Sequence, residues 1–284
     1  MLQIQERLGT RSLEELRDIP ADRILAIQTE SQVGAHVEGI RINGPIIDGY
    51  FLPRPKLALL QAGEVGRVPI IASYTTDDID IPINPIAGAA TVEQFRTIAR
   101  DQYGGSADEY LRLYPVSGDA DVTRVAREAA RTAGFESGAR YCADAQLGLG
   151  RAAYLIQFDR RHPYVPGVRI ADQNIATIGA YHTSDIPYWL GTLDRYNELR
   201  PTRAWTPWDR RLSAAMVRFL ISFADTGRPQ APGFDWPAWS RDAERKLVVG
   251  DRARVESLNR ERMAWHARHP LPTPFDARPS RPRD

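Results

Sequence analysis

Three short apolar runs constrain this chain more than any other feature. They are Val68-Pro-Ile-Ile-Ala-Ser-Tyr74, Ala152-Ala-Tyr-Leu-Ile-Gln-Phe158 and Lys246-Leu-Val-Val-Gly250. Each is nearly continuous in apolar residues, as strands buried on both faces are, whereas a half-solvated strand alternates. Stretches with apolar spacing near 3.6 lie around the runs, at about 120–132, 136–147 and 209–225. The last places Leu212, Ala215, Met216, Phe219, Leu220 and Phe223 on one side and stops at Gly227. Strands separated by long helices predict an α/β fold, with a mostly parallel sheet flanked by helices. At 284 residues and 43% apolar content the chain can bury a core of that kind.

Capping chemistry marks further helix starts. Ser12-Leu-Glu-Glu15, Thr91-Val-Glu-Gln94 and Ser106-Ala-Asp-Glu109 each have the spacing of a capping box. Arg252 to Arg268 reads as a short basic helix with a solvated face. Residues 271–284 are polar and Pro-interrupted, and are expected to be disordered.

Composition narrows the function. Basic and acidic residues number 37 and 36, for a net charge of +1, which argues against a whole-chain nucleic-acid binder. The only lysines are Lys56 and Lys246, and the arginines are spread evenly, as coding bias would produce. The single cysteine, Cys142, cannot form a disulfide within the chain or build a cysteine metal site. No His/Cys/carboxylate cluster has metal-ligand spacing. No apolar run approaches the length of a membrane span, and the N-terminus is not a secretory signal. At face value the expected location is cytoplasmic, with no membrane and no nucleic acid as partners.

In sheets of this type functional groups gather on loops at the carboxyl ends of strands. Two loops carry suitable chemistry: Ser73-Tyr-Thr-Thr-Asp-Asp78 and Gly179-Ala-Tyr-His-Thr-Ser-Asp-Ile-Pro-Tyr-Trp-Leu-Gly191. A carboxylate on the first and His182 on the second would make the base-plus-orienter part of a nucleophilic triad. The other histidines, His36, His162, His266 and His269, read as structural or surface residues.

The second loop resembles the histidine motif of the type B carboxylesterases, the esterase/cholinesterase branch of the α/β-hydrolases, G-A-x-H-x-S-E-L-x-Y-x-F-G. Other segments match in the same order. Asp48-Gly-Tyr-Phe-Leu-Pro-Arg-Pro55 is similar to D-G-x-x-L-P-x-x-P, and Ala153-Tyr-Leu-Ile-Gln-Phe-Asp159 to Y-x-Y-x-F-D. Gly63 through Val68-Pro-Ile-Ile71 is similar to the strand entering the acid loop. Phe219 to Pro229 with Trp236-Pro237 is similar to F-A-x-T-G-x-P…W-P. The resemblance spans about residues 8 to 250 and implies the C-terminal portion of an α/β-hydrolase fold over 1–270. It implies His182 as general base and Asp77 as the acid, with Asp78 the runner-up because the family loop, G-x-N-x-D-E-G, is altered here. It implies Ser184 and Asp185 as residues that order the histidine loop. The implied substrate is a small-molecule carboxylic ester, and no cofactor is needed.

The nucleophile is not found. G-x-S-x-G does not occur in the 284 residues, and Ser12, Ser31 and Ser73, the serines that precede Asp77, have the wrong surroundings. The glycine-rich oxyanion loop is also absent. By the resemblance, Met1 falls past the nucleophile strand, so the N-terminus is expected to be truncated relative to the family and the location is left open. Three readings follow: a split or truncated carboxylesterase inactive alone, whose partner is a missing N-terminal half; a non-catalytic α/β-hydrolase-like interaction module; and an arginine-rich nucleic-acid binder. A half-sheet would expose an edge, so the isolated chain is expected to be marginal and prone to associate.

Overall fold

A computed structural model describes residues 2–32, 47–78, 84–171 and 174–270. His36 and the tail at 271–284 lie outside the described residues. The chain divides into two compact units, one of Met1–Pro55, Asp80–Pro85 and Pro272–Asp284, the other of Lys56–Ile79 and Ile86–Leu271.

The first unit contains α1 (Leu2–Leu8), α2 (Leu13–Arg17) and α3 (Ala21–Gln32). Ser12 caps α2: its Oγ accepts from the Glu15 amide at 3.0 Å, and Glu15 accepts from the Arg11 amide at 2.7 Å. Asp48 accepts from the amides of Tyr50 and Leu52, closing a turn.

The second unit holds the sheet. Its elements are α4 (Lys56–Ala62), β1 (Ile70–Thr75), α5 (Val92–Tyr103), α6 (Ala107–Leu113), α7 (Asp119–Arg131), α8 (Ser137–Gly148), β2 (Ala153–Phe158), α9 (Ile186–Trp189), α10 (Pro207–Thr226), β3 (Arg245–Val249), β4 (Ala253–Ser257) and α11 (Arg260–Arg268). The strand order is β1-β2-β3-β4. β1, β2 and β3 run parallel, with Ile70 opposite Ala153 and Ile156 opposite Leu247, and β4 closes an antiparallel hairpin on β3. All three apolar runs are strands of this sheet. Every residue of β2 is buried, which explains why its sequence does not alternate.

Both faces of the sheet are covered. Tyr154, Ile156 and Phe158 meet Leu212, Met216 and Phe219 of α10. Ala153 and Leu155 face the other way, toward Ala139 and Ala143 of α8, as the two-residue period of a strand requires. A third cluster joins α5, α6 and α7 to Trp265 of α11.

Two expectations are corrected. Arg252–Arg268 is not one basic helix. Residues 253–257 pair with β3, so ladder hydrogen bonds override the helical propensity there, and α11 buries Met263, Trp265 and His266 instead of being solvated all round. Ser106 does not cap α6: its backbone is already helical, and its Oγ lies 3.0 Å from His269 Nε2. α7 and α8 are continuous through a π-turn at Thr132–Glu136.

Asp209, wholly buried near the start of α10, ties three segments together. It accepts from Arg160 Nε at 2.7 Å and Nη2 at 3.1 Å, from Tyr188 OH at 2.7 Å, and from Thr206 N and Oγ1 at 2.8 and 2.6 Å. Burial pushes its carboxyl up, but these donors outweigh burial and hold it at about 2. Such a carboxylate adds stability that is present above its unfolded value and is lost as pH falls toward 2. Asp209→Ala leaves the half-buried Arg160 without this partner and is expected to cost about 3–5 kcal/mol in urea unfolding. A loss below about 1 kcal/mol would contradict this role.

Candidate active site

The two loops identified from the sequence meet at the end of the sheet. Beyond β1 the chain continues in register with its neighbours: Thr76 N donates to Phe158 O and Asp77 N donates to Ala180 O, both at 2.9 Å. Asp77 and Tyr181 form a parallel bridge, which sets the acid loop beside the histidine loop.

Asp78 Oδ1 lies 2.8 Å from His182 Nδ1. The carboxylate can only accept when ionised, so this contact selects the Nδ1–H tautomer and leaves Nε2 free to take a proton. Among the described residues, the ring of His182 makes no other hydrogen bond, and its side chain is 75% exposed against 12% for Asp78.

Asp77 is elsewhere. The structure reverses the expected order of the two acids, because successive side chains of an extended segment point to opposite sides. Asp77 faces α7, where its Oδ1 lies 3.5 Å from Arg127 Nη1. Burial pushes its carboxyl up, opposed by Arg127 and Arg131. Gly179 leaves room for this placement. A Cβ there would stand 1.7 Å from Asp77 Oδ2.

The histidine loop is braced from below. Thr183 adopts φ +70°, a conformation β-branched residues avoid, and its Oγ1 donates to His182 O at 2.5 Å. Asp185 accepts from Trp189 Nε1 at 3.0 Å and from Ser73 Oγ at 3.4 Å. Ser184 is fully buried, and its carbonyl lies 2.8 Å from His162 Nε2.

His162 was not distinguished by the sequence, although it stands four residues past β2 in the same loop layer as the acid. Its tautomer follows from its neighbours. The Ser184 carbonyl only accepts, so Nε2 carries the proton. Arg203 Nε only donates, so Nδ1, 3.0 Å away, accepts. Arg203 itself lies 4.3 Å from the Tyr164 ring centre and 5.4 Å from that of Tyr196. Burial drives the His162 pKa down to about 4, with the Ser184 bond opposing and Arg203 adding to the fall.

No group of three or more His, Cys, Asp or Glu side chains among the described residues could hold a metal ion. No helix among them is long and apolar enough to cross a membrane.

A histidine held neutral by the fold stabilises it fully above its unfolded pKa near 6.5, and loses that contribution as pH falls toward 4. His162 and His266, which burial lowers to about 4 in the same way, are each expected to remove on the order of 3 kcal/mol across this window. Urea midpoints measured from pH 7 to pH 4 should fall, and His162→Gln should flatten the fall by about half. An unchanged slope would show that His162 titrates normally.

The comparisons with known proteins agree with the fold. The chain is 25% identical over 207 residues to the fumonisin B1 esterase of Sphingopyxis macrogoltabida, covering 71% of this chain and 36% of that protein. A thermophilic PNB esterase superposes at TM-score 0.64 and 20% identity, over 89% of this chain and 50% of its own. The Geobacillus stearothermophilus carboxylesterase EST55 at pH 6.2 superposes at TM-score 0.65 and 22% identity, over 92% and 53%. The chain thus spans about a third to a half of the length of these proteins. The family model for the carboxylesterase family matches residues 4–265, and the chain belongs to that family.

Proposed function

We propose that this chain supplies the base and the acid of a carboxylic ester hydrolase. The carrying observation is the 2.8 Å contact from His182 Nδ1 to Asp78, with Nε2 making no hydrogen bond among the described residues and the side chain 75% exposed. Family membership and the fumonisin B1 esterase relative support an ester as substrate.

In this reading a serine hydroxyl gives its proton to His182 Nε2 as its oxygen bonds to the ester carbonyl carbon. Asp78 stabilises the imidazolium and fixes the ring. The tetrahedral adduct then breaks its bond to the alcohol oxygen, which leaves with the proton from Nε2. Water, deprotonated by the same nitrogen, releases the acid and restores the serine. The serine and the oxyanion donors come from outside these 284 residues, which contain no G-x-S-x-G. The free edge of β1 supports this: among the described residues it pairs only with β2. In this reading a serine-bearing segment is the partner, and this chain has no covalent route without it.

A fluorophosphonate probe tests the reading. The chain alone should remain unlabelled. Expressed together with a segment that carries G-x-S-x-G, the serine of that segment should label, and His182→Ala should abolish labelling. Asp78→Asn should lower ester turnover by about 10³–10⁴-fold. Stoichiometric labelling of a serine within this chain would overturn the proposal. Absence of labelling in every combination would favour the non-catalytic interaction module.

A further inference from the structure

We infer that Arg127 and Arg131 are positioning residues, which hold Asp77 on the α7 side of the acid loop and so turn Asp78 toward His182. This rests on the reading of Asp78 and His182 as an acid–base pair.

Two adjacent carboxylates present His182 with a choice. Their chemistry is the same, so which one faces the imidazole depends on how the alternating backbone of the loop is held. Arg127 and Arg131 are four residues apart on α7, and so share a face. Arg127 Nη1 stands 3.5 Å from Asp77 Oδ1, and Arg131 Nη1 donates to Thr76 O at 3.0 Å. Together they grip two consecutive residues of the loop from one side. On that side Gly179 leaves the space that the Asp77 carboxylate occupies.

The neighbouring residue is fixed independently. Thr76 Oγ1 donates to Asp159 Oδ1 at 2.6 Å and accepts from Gln157 Nε2 at 2.7 Å. The end of α7 is itself anchored. Arg131 immediately precedes the π-turn that carries Glu136, and Glu136 accepts from Tyr74 OH at 2.8 Å and pairs with the buried Lys246. The end of the helix that carries the arginines is thus anchored to the sheet.

A cavity of about 710 Å³ runs along this face, lined by Arg127, Arg131, Gln157 and Lys246 among others. The cavity leaves the Asp77 carboxylate room on that side, so the arginines add to the backbone bridge in holding it there. Without Arg127 the partly buried Asp77 carboxylate loses the cation in contact with it, and the loop loosens so that Asp78 meets His182 less of the time.

The test reads the tautomer of His182 directly. In ¹⁵N-histidine-labelled chain at a pH where imidazole is neutral, long-range ¹H–¹⁵N spectra distinguish Nδ1–H from Nε2–H. The parent chain should show His182 as the Nδ1–H form. Arg127→Gln should shift the ratio toward Nε2–H by roughly twofold to fivefold, the worth of one partly exposed ion pair. Arg127→Lys, which keeps the charge, should restore most of it. Asp78→Ala tests the underlying pair: if it leaves the tautomer unchanged, the acid–base reading fails. If Asp78→Ala shifts the ratio and Arg127→Gln does not, the positioning inference alone falls. Loss of the dispersed amide spectrum in Arg127→Gln would assign the arginine to folding and overturn the inference too.

Discussion

The carboxylate of Asp209 is the point on which the site's scaffold depends. It begins α10, holds the loop after β2 through Arg160, and holds α9 through Tyr188. Those three segments are distant in sequence and would each be free to shift without it. A buried carboxylate is costly unless every lone pair is used. Here five donor contacts use them, so the cost of burial becomes a constraint on geometry. Tyr188 belongs to the same thirteen-residue motif as His182, so the helix start and the histidine loop are fixed by one charge.

A second layer works the same way closer to the chemistry. His162 holds the Ser184 carbonyl from beneath; burial keeps that histidine neutral, and Arg203 adds to this and fixes its tautomer. The strained turn at Thr183 then aims His182 outward. Strain of this kind costs on the order of 1–3 kcal/mol and persists only where surrounding contacts over-determine the backbone. His182 is thus held from beneath while its Nε2 makes no hydrogen bond among the described residues.

Much of this was legible in the residues. The three apolar runs are strands because only a strand covered on both faces tolerates such continuity. The helix at 209–225 is α10 because Thr206, Asp209 and Gly227 mark its ends and the apolar stripe faces the sheet. β4 was hidden, because Ala253-Arg-Val-Glu-Ser257 has no strong pattern and becomes a strand only beside β3. His162 was hidden for a related reason: a histidine gains its role from a carbonyl 22 residues away and an arginine 41 residues away.

The acid illustrates the boundary most clearly. The sequence by itself pointed to a carboxylate loop and a histidine loop at the carboxyl ends of strands in a mostly parallel sheet, because the apolar runs and motifs that mark them are local patterns. It left Asp77 and Asp78 side by side with the same chemistry. The choice between them belongs to the tertiary structure, where the bridge to Tyr181, the missing side chain of Gly179 and the arginines of α7 draw Asp77 to one side. Asp78 reaches His182 because alternation of an extended backbone sends neighbouring side chains in opposite directions, and only the packed fold fixes which direction is which.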